Sequence, residues 1–143
     1  MTVNYIPKGY HTITPYVVVK GAQRLIDFMK KAFDAQQVEF MEGPDGSVRH
    51  AEMKIGDSII MLSDAPADHA LVLPYLYLYV PDTDKTFTMA IEAGATSLRE
   101  PEDMFYGDRN AGVKDPVGGS WWIATHKEDL TPEEMQRREQ LKK

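Results

Sequence analysis

Cysteine is absent from this sequence, which removes disulfide frameworks, thiolate metal sites and cysteine nucleophiles from consideration. Basic charge is scarce beside acidic charge: 16 Lys and Arg stand against 22 Asp and Glu, a formal net charge of −6. A nucleic-acid binder displays clustered Lys and Arg to displace counterions from phosphates. No such cluster occurs, so nucleic acid is not an expected partner. Long apolar runs are missing as well, since nothing approaches the ~20 residues that span a bilayer. The opening Met1-Thr2-Val3-Asn4-Tyr5-Ile6-Pro7 has neither the basic start nor the apolar region of a secretory signal. These absences predict a soluble, cytoplasmic chain without a membrane partner. What is present is apolar material: 43% of 143 residues, with 10% aromatic. That is enough to fill one core and predicts a single domain over residues 1–143.

Periodicity gives the elements. Thr12 to Val19 is rich in β-branched and aromatic residues and reads as a strand, with Pro15 marking an edge or bulge position. From Ala22 to Phe33 the apolar residues Leu25, Ile26, Met29, Ala32 and Phe33 recur at helical spacing. Gly43-Pro44-Asp45-Gly46 is a turn signal. After it, Ser47 to Ile55 alternates, with Ala51, Met53 and Ile55 on one face and His50, Glu52 and Lys54 on the other. Gly56-Asp57 turns the chain into a strand from Ser58 to Ser63, and Asp64 to Ala70 reads as a linker.

The second half repeats this order. Tyr75 to Val80 alternates strictly, Asp82 suits a helix N-cap, and Phe87, Ala90 and Ile91 form a helical stripe that ends at Gly94. Gly112 to Lys114, the turn Asp115-Pro116-Val117-Gly118-Gly119, and Ser120 to Thr125 read as a closing hairpin. Laying Val19 over Val80 and Met61 over Trp122 gives one offset of about sixty residues, an internal repeat. The predicted architecture is α+β: two βαβββ modules, residues 10–64 and 72–126, form a curved mixed sheet around a cavity. The tail, residues 131–143, carries a capping box with Thr131 at N-cap, Pro132 at N1 and Glu134 at N3, and predicts a lightly docked C-terminal helix.

The segments HTITPYVVVKGAQRLIDFMKKAF, HAEMKIGDSIIMLSD, YGDR, DPVGGSWWIATH and EDLTPEEMQRR resemble the vicinal oxygen chelate superfamily, which joins glyoxalases, bleomycin-resistance proteins and extradiol dioxygenases. The resemblance covers nearly the whole chain and is closest to the glyoxalase-like branch, whose members mostly have no assigned substrate. It implies a cavity on the concave face of the sheet and pairing of two chains into a homodimer. Metal-dependent members place His, Glu or Gln at four equivalent points, which fall here on Thr14, Met61, Tyr75 and Trp122. None of these offers the imidazole or carboxylate donors that a divalent ion wants. No metal site and no cofactor are therefore expected, and the resemblance alone does not carry a glyoxalase, dioxygenase or epimerase activity onto this chain.

With the apolar side of each strand on its helix, the concave face is expected to present Thr14, Tyr16, Val18, His50, Glu52, Met61, Tyr75, Tyr77, Tyr79 and Trp122. Aromatic walls of this kind stack on planar guests, while tyrosine hydroxyls supply hydrogen bonds. The alternative is that the same aromatics fill a closed core. His50 and Glu52, two apart on one strand, face the same way. They are either a candidate catalytic acid and base, or half of an unusual metal site with His11, or a pair on a solvated face. Arg109 in YGDR is either an anion clamp or a surface ion pair with its neighbour Asp108. His126 is read as a structural or rim residue and His69 as an exposed linker residue. The leading function is a small-molecule binding protein for a planar or hydrophobic organic molecule. The alternatives are a metal-dependent lyase, isomerase or dioxygenase and a protein-interaction module.

Overall fold

The computed structural model describes residues 2–141. The first module runs β1 (Tyr16–Val19), α1 (Ala22–Phe33), β2 (Gln36–Glu42), β3 (Val48–Ile55) and β4 (Ser58–Asp64). The second runs β5 (Tyr75–Tyr79), α2 (Thr83–Glu92), β6 (Thr96–Asp103), β7 (Asp108–Lys114) and β8 (Ser120–His126), followed by α3 (Pro132–Leu141). The architecture is α+β with two βαβββ modules and a C-terminal helix. Each module contributes a four-stranded sheet, in the orders β1-β4-β3-β2 and β5-β8-β7-β6. The first strand of each module pairs in parallel with the last, and the other ladders are antiparallel.

The repeat seen in the sequence is exact in register. Tyr16 lies opposite Met61 in the first sheet, and Tyr77 lies opposite Trp122 in the second. Two strands were not legible. β2 is exposed along its whole length, so no buried face gives it an alternating pattern, and its Gln, Glu and Met favour helix as much as strand. β6 contains Pro101 and slips register between Arg99 and Glu102, which an edge strand tolerates because one side makes no ladder bonds. β1 is also shorter than the predicted Thr12 to Val19. Pairing begins where Met61 N donates to Pro15 O, 2.9 Å away.

Core placement follows the alternation. Val17, Val19, Ala51, Met53, Ile60 and Leu62 point to the helix side of the first sheet, and Ala111, Val113, Trp121 and Ile123 to that of the second. They join one hydrophobic core with Leu25, Ile26, Phe28 and Met29 of α1 and Phe87 and Ala90 of α2. Phe33 of α1 lies 4.9 Å from the Trp121 ring, centroid to centroid, so the modules share aromatic packing. The Trp121 indole is satisfied in the core, donating to Asp115 Oδ2 at 2.7 Å. Asp115 also takes the Val117 and Gly119 amides, which closes the Asp-Pro-Val-Gly-Gly turn.

The helix starts are held from the last strand of each module. Asp64 Oδ1 accepts from Gly21 N and Ala22 N, and Asp64 Oδ2 accepts from Val48 N at 2.8 Å. In the second module Thr125 Oγ1 accepts from Thr83 N at 3.0 Å and bonds to Val80 O. Asp82 caps α2 as predicted, accepting from Lys85 N, and Thr131 caps α3, accepting from Glu134 N. The Glu134 side chain turns to Arg137 and Arg138 instead of back to the cap, and these bonds hold its carboxyl down at about 2. α3 buries no residue and is tied to the body by Arg138 on Glu128, the light docking expected of it. No helix of the described residues is long and apolar enough to cross a membrane.

Candidate functional site

The free faces of the two sheets carry different chemistry. On the first, His50 and Glu52 of β3 stand side by side, with His50 Nε2 2.7 Å from Glu52 Oε2. Tyr10, in the segment before β1, donates its hydroxyl to Glu52 Oε1. The Tyr16 hydroxyl lies 3.1 Å from His50 Nδ1. An ionised carboxylate only accepts, so Nε2 must carry the proton toward Glu52, which in a neutral ring leaves Nδ1 to accept from Tyr16. Burial alone raises the Glu52 carboxyl, but the bonds from Tyr10 and His50 and the imidazole charge together hold it below its ordinary value. The bond to Glu52, with burial second, pushes Tyr10 up to about 12. The result is a continuous chain of hydrogen bonds, Tyr10 to Glu52 to His50 to Tyr16. A pocket of about 390 Å³ lies against it, lined by Tyr5, Tyr10, His11, Thr14, Glu52 and Met61.

The free face of the second sheet is aromatic. Tyr75, Tyr77 and Tyr79 project from β5, and the Tyr77 and Tyr79 rings meet at a tilt of 57° with centroids 5.3 Å apart. Trp122 lies over Gly112 of β7, its register partner. A Cβ on Gly112 would fall 2.3 Å from the Trp122 ring, so the missing side chain is what lets the indole lie flat across the strand. A pocket of about 350 Å³ is lined by Tyr75, Leu76, Tyr77, Arg99, Tyr106, Asn110 and Trp122. Behind it, Asp108, 5% exposed, accepts the Tyr77 hydroxyl at 2.7 Å and bonds His126 Nδ1 at 2.7 Å. His126 Nε2 lies 2.7 Å from Asp129. With both ring nitrogens on carboxylates, the Asp108 bond first and the Asp129 bond second raise His126 above its ordinary value. Burial, then the Asp108 bond, raise Tyr77 well above the usual phenol range, so it remains a donor.

The expected concave-face residues are thus distributed over separate concavities. Thr14, Glu52 and Met61 share one, and Tyr75, Tyr77 and Trp122 share another. Thr14, Tyr77 and Tyr79 also line a third, a cleft of about 890 Å³ between the modules that His11 reaches. Arg109 points to the helix side of its sheet. Its Nε and Nη2 grip Asp84 at 2.6 and 2.9 Å, and Nη1 reaches Asp103 at 3.2 Å. Its expected neighbour partner, Asp108, instead serves Tyr77 and His126, because adjacent strand residues face opposite sides. His126 takes the structural one of its two expected roles, bridging Asp108 and Asp129. His69 is exposed, as expected of the linker.

Several residues of these faces escaped the sequence reading. Tyr10 sits in an irregular segment whose path no periodicity gives. Arg99 lies on the unrecognised β6, so no face could be assigned to it. Asn110 and Gly112 alternate on β7 and were accessible to the same argument that placed His50 and Glu52, had β7 been started at Asp108. Thr14, Met61, Tyr75 and Trp122, onto which the resemblance carries the superfamily's metal positions, offer hydroxyl, thioether and aromatic groups, which do not fit a divalent ion. Among the described residues, no cluster of three or more His, Asp or Glu is placed to hold a metal.

Comparison with known proteins agrees with this frame. The chain is 33% identical to the uncharacterized protein Rv0887c of Mycobacterium tuberculosis (strain ATCC 25618 / H37Rv) over 147 residues, covering 95% of this chain and 84% of that protein. The uncharacterized protein Mb0911c of Mycobacterium bovis is likewise 33% identical, covering 95% of this chain and 94% of the relative. Among solved structures, TioX from Micromonospora sp. ML1 superposes with a TM-score of 0.69 at 20% identity, over 81% of this chain and 98% of TioX. A glyoxalase/bleomycin resistance protein/dioxygenase family enzyme from Burkholderia phytofirmans PsJN gives a TM-score of 0.66 at 20% identity, over 79% of this chain and 96% of that one. At such identities these structures show a shared fold. The family model for the Glyoxalase/Bleomycin resistance protein/Dioxygenase superfamily matches residues 9–123, and the chain belongs to that superfamily.

Proposed function

We propose that this chain is a small-molecule binding protein of its superfamily that takes a planar, largely apolar organic molecule against the Tyr75, Tyr77 and Trp122 wall, working in the cytoplasm as a homodimer. The observation that supports this is the state of the wall itself. Tyr75 is 75% exposed and Tyr77 42% exposed, yet both are fixed on a strand and need little further ordering to meet a guest. Aromatic side chains bury ~150–250 Å² each and prefer offset or edge-to-face contact with planar partners. Titration with a library of planar aromatic compounds, followed by calorimetry, is expected to yield binders whose affinity drops at least tenfold in Trp122→Ala. A library without a single binder, or binders indifferent to Trp122→Ala, overturns the reading. Sedimentation equilibrium at several concentrations is expected to give twice the chain mass, and a monomer throughout removes the dimer.

A second reading has its own support in the first module. The 2.7 Å contact between His50 and Glu52 couples an imidazole to a partly buried carboxylate, the arrangement of a general acid and base. In that reading a substrate in the Thr14 and Met61 pocket displaces Tyr10 or Tyr16 from the chain and exchanges a proton with the group it frees. Replacing both His50 and Glu52 with Ala, with no loss of turnover on any ligand found, removes this reading and leaves the aromatic wall untouched.

A further inference from the structure

Most arginines with a resolved side-chain bond in this chain are engaged by carboxylates: Arg109 by Asp84 and Asp103, Arg137 by Glu134, Arg138 by Glu128 and Glu134. Arg99 is different. Its guanidinium carbon lies 5.4 Å from the centroid of the Trp122 ring, and its Nη1 donates to Asn110 Oδ1 at 3.3 Å. Asn110 is 1% exposed and therefore a fixed acceptor rather than a passing one. A guanidinium has five N–H donors, and among the described residues the remaining donors of Arg99 have no protein acceptor. The group is half-buried and lines the aromatic pocket together with Tyr75, Tyr77, Tyr106 and Trp122.

This arrangement decides the sign of the ligand. Four aromatic rings suit either a flat body or a cation held on their faces. The indole face, the strongest cation acceptor of the set, is already taken by Arg99, and a second cation there would meet like charge. An oxyanion meets the opposite situation: a planar fork, held over the Trp122 ring and by Asn110, with donors to spare. The buried Asp108 carboxylate does not cancel that charge at the pocket, because His126 and the Tyr77 hydroxyl already engage it. Tyr77 stays a phenol and adds no negative charge of its own.

Resting on the reading that the aromatic wall is the binding site, we infer that its ligand is an aryl oxyanion, a flat ring system bearing a carboxylate or similar group, with Arg99 as the anion anchor. The ring lies among Tyr75, Tyr77 and Trp122, and the oxyanion accepts from the open edge of the Arg99 fork.

The test uses matched pairs that differ only in charge: 2-naphthoate against 2-naphthamide, and indole-2-carboxylate against indole-2-carboxamide, titrated by calorimetry into the full chain. The expected result is at least tenfold tighter binding of the carboxylates, a preference lost in Arg99→Gln and partly retained in Arg99→Lys, which keeps the charge without the fork. Thermal unfolding of each variant checks that the fold persists, as expected for a half-exposed side chain on an edge strand. Equal binding of carboxylates and amides, or a preference that survives Arg99→Gln, overturns the anchor while leaving the aromatic site standing. Failure of every probe to bind the unmodified chain, together with failure of the wider neutral library, overturns the aromatic site and the anchor with it.

Discussion

The two modules share a topology and a strand register, yet their free faces use polar groups in opposite ways. On the first, Tyr10, Glu52, His50 and Tyr16 satisfy one another in sequence, so the polar groups are turned inward. On the second, the polar pairs lie behind the wall, in Tyr77 to Asp108 to His126, and the pocket itself keeps open aromatic surface and a guanidinium with unused donors. Duplicated frames thus need not give duplicated sites. At the register position shared by the modules, Met61 stands in one and Trp122 in the other. Beside them stand Glu52 and Gly112. A glycine there makes room for an indole, and a glutamate there makes an anchor for a strap from the N-terminal segment.

The largest contrast expected is in stability. Asp64 accepts three backbone N–H groups in the first module, and Thr125 accepts one in the second. Removing a shared acceptor leaves several orphaned donors, so Asp64→Ala is expected to cost about 3 kcal/mol and Thr125→Ala about 1 kcal/mol. Urea unfolding measures both, and equal costs would show that the two helix starts are held by something other than these caps.

Binding comes next. Trp122→Ala is expected to weaken a planar ligand about tenfold or more, while Met61→Ala at the matching position changes it less than about twofold. Gly112→Ala should mimic the tryptophan loss with Trp122 still present, because its Cβ would collide with the ring. A ligand that responds to Met61→Ala and ignores Trp122 would assign binding to the first module.

Tyr10→Phe sharpens the comparison from the other side. It removes one donor to Glu52, which keeps His50, and is expected to cost about 1 kcal/mol of stability with no change in affinity at the aromatic wall. Calorimetric titration beside urea unfolding separates those two quantities.

The smallest effect is a pH dependence that belongs to the second module. His126 is raised above its ordinary 6.5 by Asp108 and Asp129. A group raised on folding contributes stability that is fully present below its unfolded value and is lost as pH rises through the folded one. Melting temperatures taken from about pH 6 to about pH 9 should therefore fall more steeply for the unmodified chain than for His126→Gln. Parallel curves would mean that the imidazole keeps no proton between its two carboxylates.

Much of this frame is written in the chain. The stripe Leu25, Ile26, Met29, Ala32 and Phe33 gave α1, the alternation around His50 and Glu52 gave β3, and Asp82 and Thr131 gave the starts of α2 and α3, all because these signals are local. β2 and β6 gave no such signal, since an exposed edge strand has no buried side to impose a period of two. The candidate site divides along the same line. That Tyr75 and Tyr77 share a face, and that His50 and Glu52 share another, follows from strand geometry alone. That Tyr10 reaches Glu52, that Asp108 serves Tyr77 and His126 rather than Arg109, and that Arg99 settles over Trp122 does not.

The sequence by itself therefore determined the repeat, the helices and the alternating faces. Those depend on residue type and short spacing. Only the tertiary structure decided which polar groups close on one another and which stay open to a ligand. Such pairings join residues far apart in the chain, and their outcome turns on register, on one missing Cβ at Gly112, and on the path of a loop.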